Sequence, residues 1–145
     1  TPAAALIVSP NYEGVITDLN PFISACKERG VLLIVDAAHG AHFCGKGLEK
    51  MNPLVQGADI VVHSLHKTLS AATQTGALHL GKECSLASAS LQAALNLLQS
   101  SSPSYLLMSS IEESIELIEN TNKLDQCLEL ASKLRFLLEQ TKGIS

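Results

Sequence analysis

The sequence predicts an α/β fold: a mostly parallel sheet with flanking helices, followed by a helical C-terminal segment. Three observations carry that expectation. The short apolar runs "AALIVS" (4–9), "VLLIV" (31–35) and "ADIVVHS" (58–64) have the length and β-branched content of buried strands. A helix-length stretch with start and stop signals separates the first two. Beyond Leu86, apolar residues recur three or four apart, the helical period.

The elements follow in order. The first strand is ended by Pro10, and "NYEGVITD" reads as a loop. Asn20 before Pro21 makes an N-cap and first-turn pair, and "PFISACKER" runs to Gly30, a helix stop. Strand, helix and strand within residues 4–35 form the βαβ unit of a parallel sheet. The Gly-punctuated stretch 37–57 is expected to be a loop with at most one short helical turn. "GALHL" (76–80) is a fourth strand. Its link to the third is too short for a helical crossover, which points to an antiparallel pairing. Three helical runs follow, "LASASLQAALNLLQS", "SYLLMSSIEESIELIEN" and "KLDQCLELASKLRFLLEQTKG", the first two parted by "SSSP" (100–103). In the last, Leu124, Leu128, Ala131, Leu134 and Leu138 form a stripe expected to pack on a core.

A chain of 145 residues is long enough for one domain with a real core. Hydrophobic residues make up 46% and aromatics only 3%, so that core must be aliphatic. The formal net charge of −4 and the lack of a basic run argue against a nucleic-acid partner. The four cysteines are scattered with no C-x-x-C pair, which suggests neither a zinc knuckle nor a dithiol motif and fits a reducing, cytoplasmic setting. No apolar run is long enough to span a bilayer, so no membrane partner is expected. The chain opens almost directly in a strand with no initiator Met, and reads as a piece of a longer protein.

Ligands of open parallel sheets bind beyond the carboxyl ends of the strands. Three polar groups fall there: Ser9 to Tyr12, Asp36 to His42, and Ser64 to Lys67. They are expected to converge on one crevice. Asp36, His39 and His42 are spaced by three, which on a helix would make a metal-ligand face, but Gly40 argues for a loop and no metal is expected. "IVDAAH" looks like a Walker-B strand, yet Ala37 stands where an acidic base would, and no phosphate-binding G-x-x-x-x-G-K-[ST] loop exists. A lysine nucleophile remains. Lys67 stands at a strand end among Ser64, His66 and Thr68, a setting that can free an amine for attack on a carbonyl. A cofactor with a pyridine nitrogen needs an anionic partner, and Asp36 ends a neighbouring strand. Ser64 and His66 could contact the cofactor phosphate, and His39 could lie near its ring. The Lys–Asp combination is thus a pyridoxal-phosphate constellation. From spacing alone, an exposed loop lysine beside a strand-capping aspartate stands as its equal.

"PNYEGV", "VDAAHGAHF", "GADIVVHSLHKTLSAATQTGALH" and "SSSPSYLLMSSIE", in that order, resemble the major domain of the Orn/Lys/Arg decarboxylases, over residues from about 7 to about 115. The S-x-H-K-T-L segment followed by T-Q is the most specific part. The resemblance implies a pyridoxal-phosphate enzyme of the aspartate-aminotransferase-like fold, acting on ornithine, lysine or arginine in polyamine metabolism. It implies that Lys67 forms the Schiff base with the cofactor and Asp36 pairs with the pyridine nitrogen. Ser64 and His66 match residues around the phosphate and that linkage, and His39 a position beside the ring. Lys67, His39 and His66 are thereby the candidate catalytic residues. The substrate amine would displace Lys67, carbon dioxide would leave, and reprotonation would release a diamine or agmatine. Ser100 to Pro103 resemble a stretch near a dimer interface, so a homodimer or higher homo-oligomer is implied.

Many relatives have Glu where this chain has Ala37. The resemblance further implies that residues 1–145 are a single partial domain: 1–110 the cofactor-binding core portion, 111–145 a helical segment leading toward a small domain. The family's upstream phosphate loop and ring-stacking side chain, and its substrate-binding small domain, fall outside these residues. The piece alone is therefore expected to be inactive. Two rivals remain: another reaction on the same fold, such as an aminotransferase or lyase, and a non-catalytic α/β association module.

Overall fold

The computed structural model describes residues 2–141 and residue 143. Strands β1 (Ala4–Val8), β2 (Leu32–Asp36), β3 (Ile60–Ser64) and β4 (Gly76–Leu80) lie side by side in chain order. β1 and β2 pair parallel, as do β2 and β3, while β3 and β4 are antiparallel. The expected α/β class, the βαβ unit and the reversed fourth strand are all present.

Helix α1 (Asn20–Arg29) connects β1 to β2. It stops at Gly30, whose φ of +62° is a left-handed conformation that costs glycine nothing. Lys27 and Arg29 in its last turn complement the negative end of the helix dipole. Asn20 is not the cap that was expected, because the helix begins one residue earlier. Asp18 supplies the capping oxygen instead: its Oδ1 accepts the Asn20 backbone N–H at 3.1 Å and the Asn20 side-chain amide at 2.9 Å.

One face of the sheet packs under α1. Strict alternation in β2 sends Leu33 and Val35 to that face, where they meet Leu19, Cys26, Ala58 and Val61. Val35 and Val61 are register partners and both are fully buried. Burial of each such side chain contributes about 1.5–3 kcal/mol. The opposite face is largely open. Leu6 is 68% exposed, Val8 49%, and Val62 and Leu78 36% each. Parallel sheets are ordinarily covered on both sides.

The stretch 37–57 holds more helix than the sequence suggests: 3-10 turns at Ala41–Cys44 and Glu49–Met51, and α2 (Pro53–Gln56). Gly40 and Gly45 bound the first turn, and Gly57 ends α2. Asn52 Oδ1 caps α2 by accepting the Leu54 N–H at 3.0 Å. After β3 the chain makes a single turn, α3 (Leu65–Thr68), before β4.

Three C-terminal helices follow: α4 (Ser88–Leu98), α5 (Tyr105–Asn120) and α6 (Lys123–Glu139). α5 docks through Ile111 on a second small cluster made by Ala41, Leu65 and Ala71. Ser110 Oγ reinforces it by accepting the Ala72 N–H at 3.2 Å. The α6 stripe does not pack as expected. Leu128, Leu134 and Leu138 are 40%, 57% and 39% exposed, and no described residue of α6 is buried. α6 leans over the 3-10 turns rather than the sheet. Leu124 seats against Gly45, where an added Cβ would run into its Cδ2. Leu128 and Phe136 line only a shallow groove with Phe43, Leu48 and Met51. Helical periodicity predicts a sided helix; it does not say that anything lies on that side.

Candidate functional site

Asp36 and Ser64 end two adjacent parallel strands. Asp36 lies opposite Val62, and the two-residue period then sets Ser64 on the same, open face. Asp36 Oδ1 accepts the Ala38 N–H at 3.0 Å, a short turn that lifts the chain off the sheet. The ladder continues past the strand ends. Ser9 N–H donates to Asp36 O at 3.0 Å, and Ala37 N–H to Val62 O at 2.9 Å. All three polar strand ends are thus held in one rim.

His39 follows on this rim. Its ring meets Tyr12 edge-on, with centroids 5.6 Å apart and planes at 80°. Its Nδ1 is buried without a hydrogen-bond partner among the described residues. Gly40 lets the loop lie close to the first rim segment, since a Cβ there would meet Pro10 Cδ at 2.9 Å and Phe43 Cδ2 at 3.2 Å.

Lys67 lies in α3. Leu65 is buried beneath it, packed with Ala41, so the His39 loop and the Lys67 turn sit side by side. Lys67 itself is exposed and forms no ion pair among the described residues. The enclosure suggested by its sequence neighbours is therefore not built from these residues alone. His66 is half-buried, with Nδ1 2.8 Å from the carbonyl oxygen of Thr75. The same oxygen accepts the Leu65 N–H at 3.1 Å. Thr68 Oγ1 is buried and unpartnered.

The structure brings Asp36, His39, Ser64, His66 and Lys67 to one end of the sheet. No hydrogen bond links the Asp36–His39 pair to the Ser64–Lys67 group among the described residues, so the convergence is of position, not of contact. His42 departs from the set and packs on Phe43, centroids 4.4 Å apart. Among the described residues, no three His, Cys, Asp or Glu side chains gather closely enough to hold a metal ion.

Two features escaped the sequence reading. His63 is only 3% exposed, on the core face, with its ring edge-on to His79 at 5.0 Å and Nε2 unpartnered. Burial, then the neighbouring His79 and His42, push its pKa down to about 4. Burial lowers His42 and His79 as well. The period in "IVVHS" places His63 beside Val61 and was the available signal. The second is Thr75, buried at 3% and carrying the carbonyl that holds His66. No sequence pattern announces a main-chain acceptor.

The residues present fit pyridoxal phosphate. A lysine, a carboxylate with one oxygen engaged and one unbonded, a strand-end hydroxyl and two imidazoles share one rim beside an open face. Among the described residues, no helix is long and apolar enough to cross a membrane.

The chain is similar to known proteins. The sequence profile of the Orn/Lys/Arg decarboxylase major domain matches residues 1–145. The chain is 42% identical over 107 residues to the uncharacterized protein YaaO of Bacillus subtilis (strain 168), covering 74% of this chain and 22% of that protein. It is 30% identical over 141 residues to an arginine decarboxylase of the same organism, covering 96% of this chain and 29% of that one. An arginine decarboxylase of Halalkalibacterium halodurans is 30% identical over 107 residues, 74% of this chain and 22% of the relative. The chain thus spans between 22% and 29% of the length of these relatives. By this match, and by an α/β fold with a mostly parallel sheet, the chain belongs to the Orn/Lys/Arg decarboxylase family through its major domain.

Proposed function

We propose that the protein carrying this chain is a pyridoxal-phosphate-dependent decarboxylase of a basic amino acid, with Lys67 as the residue that holds the cofactor. The observation that carries this reading is the shared face of Asp36 and Ser64 at the sheet's carboxyl end, one helical turn before Lys67. Pyridoxal phosphate, when bound, supplies the electron sink for the carbanion left by loss of carbon dioxide. Asp36 would keep a proton on the ring nitrogen with the carboxylate oxygen that Ala38 leaves unbonded. Ser64 and His66 would take the phosphate, and His39 would lie along the ring. Arginine is the first substrate to test, because two relatives are named arginine decarboxylases.

Residues 1–110 are read as part of the cofactor-binding core and 111–145 as a helical lead toward a further, smaller domain. The open sheet face and the exposed Leu97, Leu106 and Phe136 of the C-terminal helices give apolar surface for that remaining chain or for a second subunit. A cytoplasmic homo-oligomer fits this reading.

Borohydride reduction tests it. The full-length protein is loaded with pyridoxal phosphate, reduced, digested and weighed by mass spectrometry. The expected result is one phosphopyridoxyl group, on Lys67, absent from the Lys67→Ala variant. Label on another lysine, or none, would overturn the assignment.

A further inference from the structure

His66 Nδ1 lies 2.8 Å from Thr75 O. A carbonyl oxygen only accepts, so the ring proton at this contact sits on Nδ1. Nε2 then carries a proton only in the imidazolium. The geometry that enforces this is built by three local features. Gln74 has a φ of +76°, the left-handed region that a side chain seldom occupies, and it turns the chain so that the next carbonyl points back at α3. Thr75 is buried, and its hydroxyl donates to Ala72 O at 2.8 Å. Its backbone N–H also reaches Ala72 O, at 3.3 Å. The carbonyl fixed in this way accepts twice, from His66 Nδ1–H and from Leu65 N–H at 3.1 Å. Both donors belong to the turn that carries Lys67. His66 Nε2 has no protein partner and is not among the sealed ring nitrogens.

We propose that Thr75 is a positioning residue: its anchored carbonyl holds His66 as the Nδ1–H imidazole and aims Nε2 at the anionic group of the ligand. The ligand class is a phosphate monoester, and Nε2 donates to it only from the imidazolium. This rests on the reading of Lys67 as the cofactor-holding lysine. The carbonyl accepts from Nδ1–H in the neutral and in the protonated ring alike, so Nε2 is the one nitrogen left to take the second proton, and it does so facing the phosphate. The ring is thereby oriented before the ligand-bound state forms and need not turn when Nε2 is protonated.

The test uses the full-length protein labelled with 15N-histidine. Two-bond nitrogen–proton spectra of the cofactor-free protein read the tautomer of His66 directly. Nδ1 protonated and Nε2 bare is the expected result; an Nε2-protonated ring or an even mixture would overturn the proposal. Thr75→Val removes the hydroxyl anchor, and Thr75→Ser keeps it. Thr75→Val is expected to bring the His66 signals toward the tautomer average and weaken pyridoxal phosphate about tenfold, while leaving phosphate-free pyridoxal unchanged. Thr75→Ser restores both. Equal weakening of the two aldehydes would mean a merely structural role and would sink the idea. If Thr75→Val does not fold, Thr75→Ala removes the same hydroxyl without the branched side chain and is read in the same way. Should borohydride label a different lysine while His66 still reads Nδ1–H, the reading of Lys67 fails and the carbonyl lock stands.

Discussion

Asp36 and Ser64 stand on the same open face of the sheet, at the carboxyl ends of two adjacent parallel strands. Their placement follows from register: Asp36 pairs with Val62, and one pleat further lies Ser64. A slip of one residue would turn one of them into the core. The opposite face carries Leu33, Val35 and Val61, whose burial makes that slip costly. Packing on one side of the sheet thereby sets which side chains stand on the other.

Asp36→Asn tests whether that carboxylate serves the reaction. The amide oxygen can still accept the Ala38 N–H, so the urea midpoint of unfolding is expected to hold. If the proposed arginine decarboxylation is the reaction, its rate in the full-length protein should drop about a hundredfold, the scale for losing one electrostatic partner of a reacting group. Activity within a few-fold of the parent would remove Asp36 from the mechanism.

Acid should destabilise the fold through His63. Its pKa falls from 6.5 in the unfolded chain to about 4 when folded. The unfolded state therefore binds more protons between these values. Stability is fully present above pH 6.5 and is lost as pH falls toward about 4, by about 3 kcal/mol in all. His42 and His79, both lowered by burial, act in the same sense. Urea titrations across this range should show the loss, and His63→Leu should flatten it. An unchanged slope in that variant would place the acid sensitivity elsewhere.

Gly45 is where α6 meets the body of the domain. An alanine there must displace Leu124 or strain against His42 O at 3.1 Å. Gly45→Ala is expected to cost about 1–3 kcal/mol, typical of overpacking. Faster hydrogen exchange confined to α6 would accompany it. Unaltered exchange in α6 together with an unaltered melting temperature would show that this seat is soft.

Lys27 and Glu83 bridge α1 to the chain after β4 at 2.9 Å, yet both side chains are mostly exposed, 53% and 83%. Lys27 holds the Glu83 carboxyl below its ordinary pKa through their hydrogen bond and charge. Solvent screening makes such a pair a poor source of stability. Glu83→Gln should leave the thermal midpoint unchanged, and a clear drop would assign this contact a structural role.

Much of the fold was legible because its signals are local. Runs of Val, Ile and Leu marked three strands, Gly30 marked the end of α1, and the short link marked the reversed β4. The three turns between Gly40 and Gly57 were less legible, since 3-10 segments of three or four residues carry no period. Of the candidate site, Asp36 could be placed at a strand end from the order of elements alone, whereas Lys67, also expected at one, stands in the helical turn that follows β3. His66 could be noticed but not oriented, and His63 was passed over because its environment is made by β4 and the loop before α2.

The sequence by itself determined the element order, the class of fold and the strand ends at Asp36 and Ser64. Each depends on the period of neighbouring residues along the chain. Only the tertiary structure decided which sheet face is covered, that the α6 stripe stays exposed, and that Thr75 holds His66 by a main-chain oxygen. Those outcomes depend on distances between segments far apart in the chain and on backbone atoms that every residue shares. No pattern of side chains encodes them.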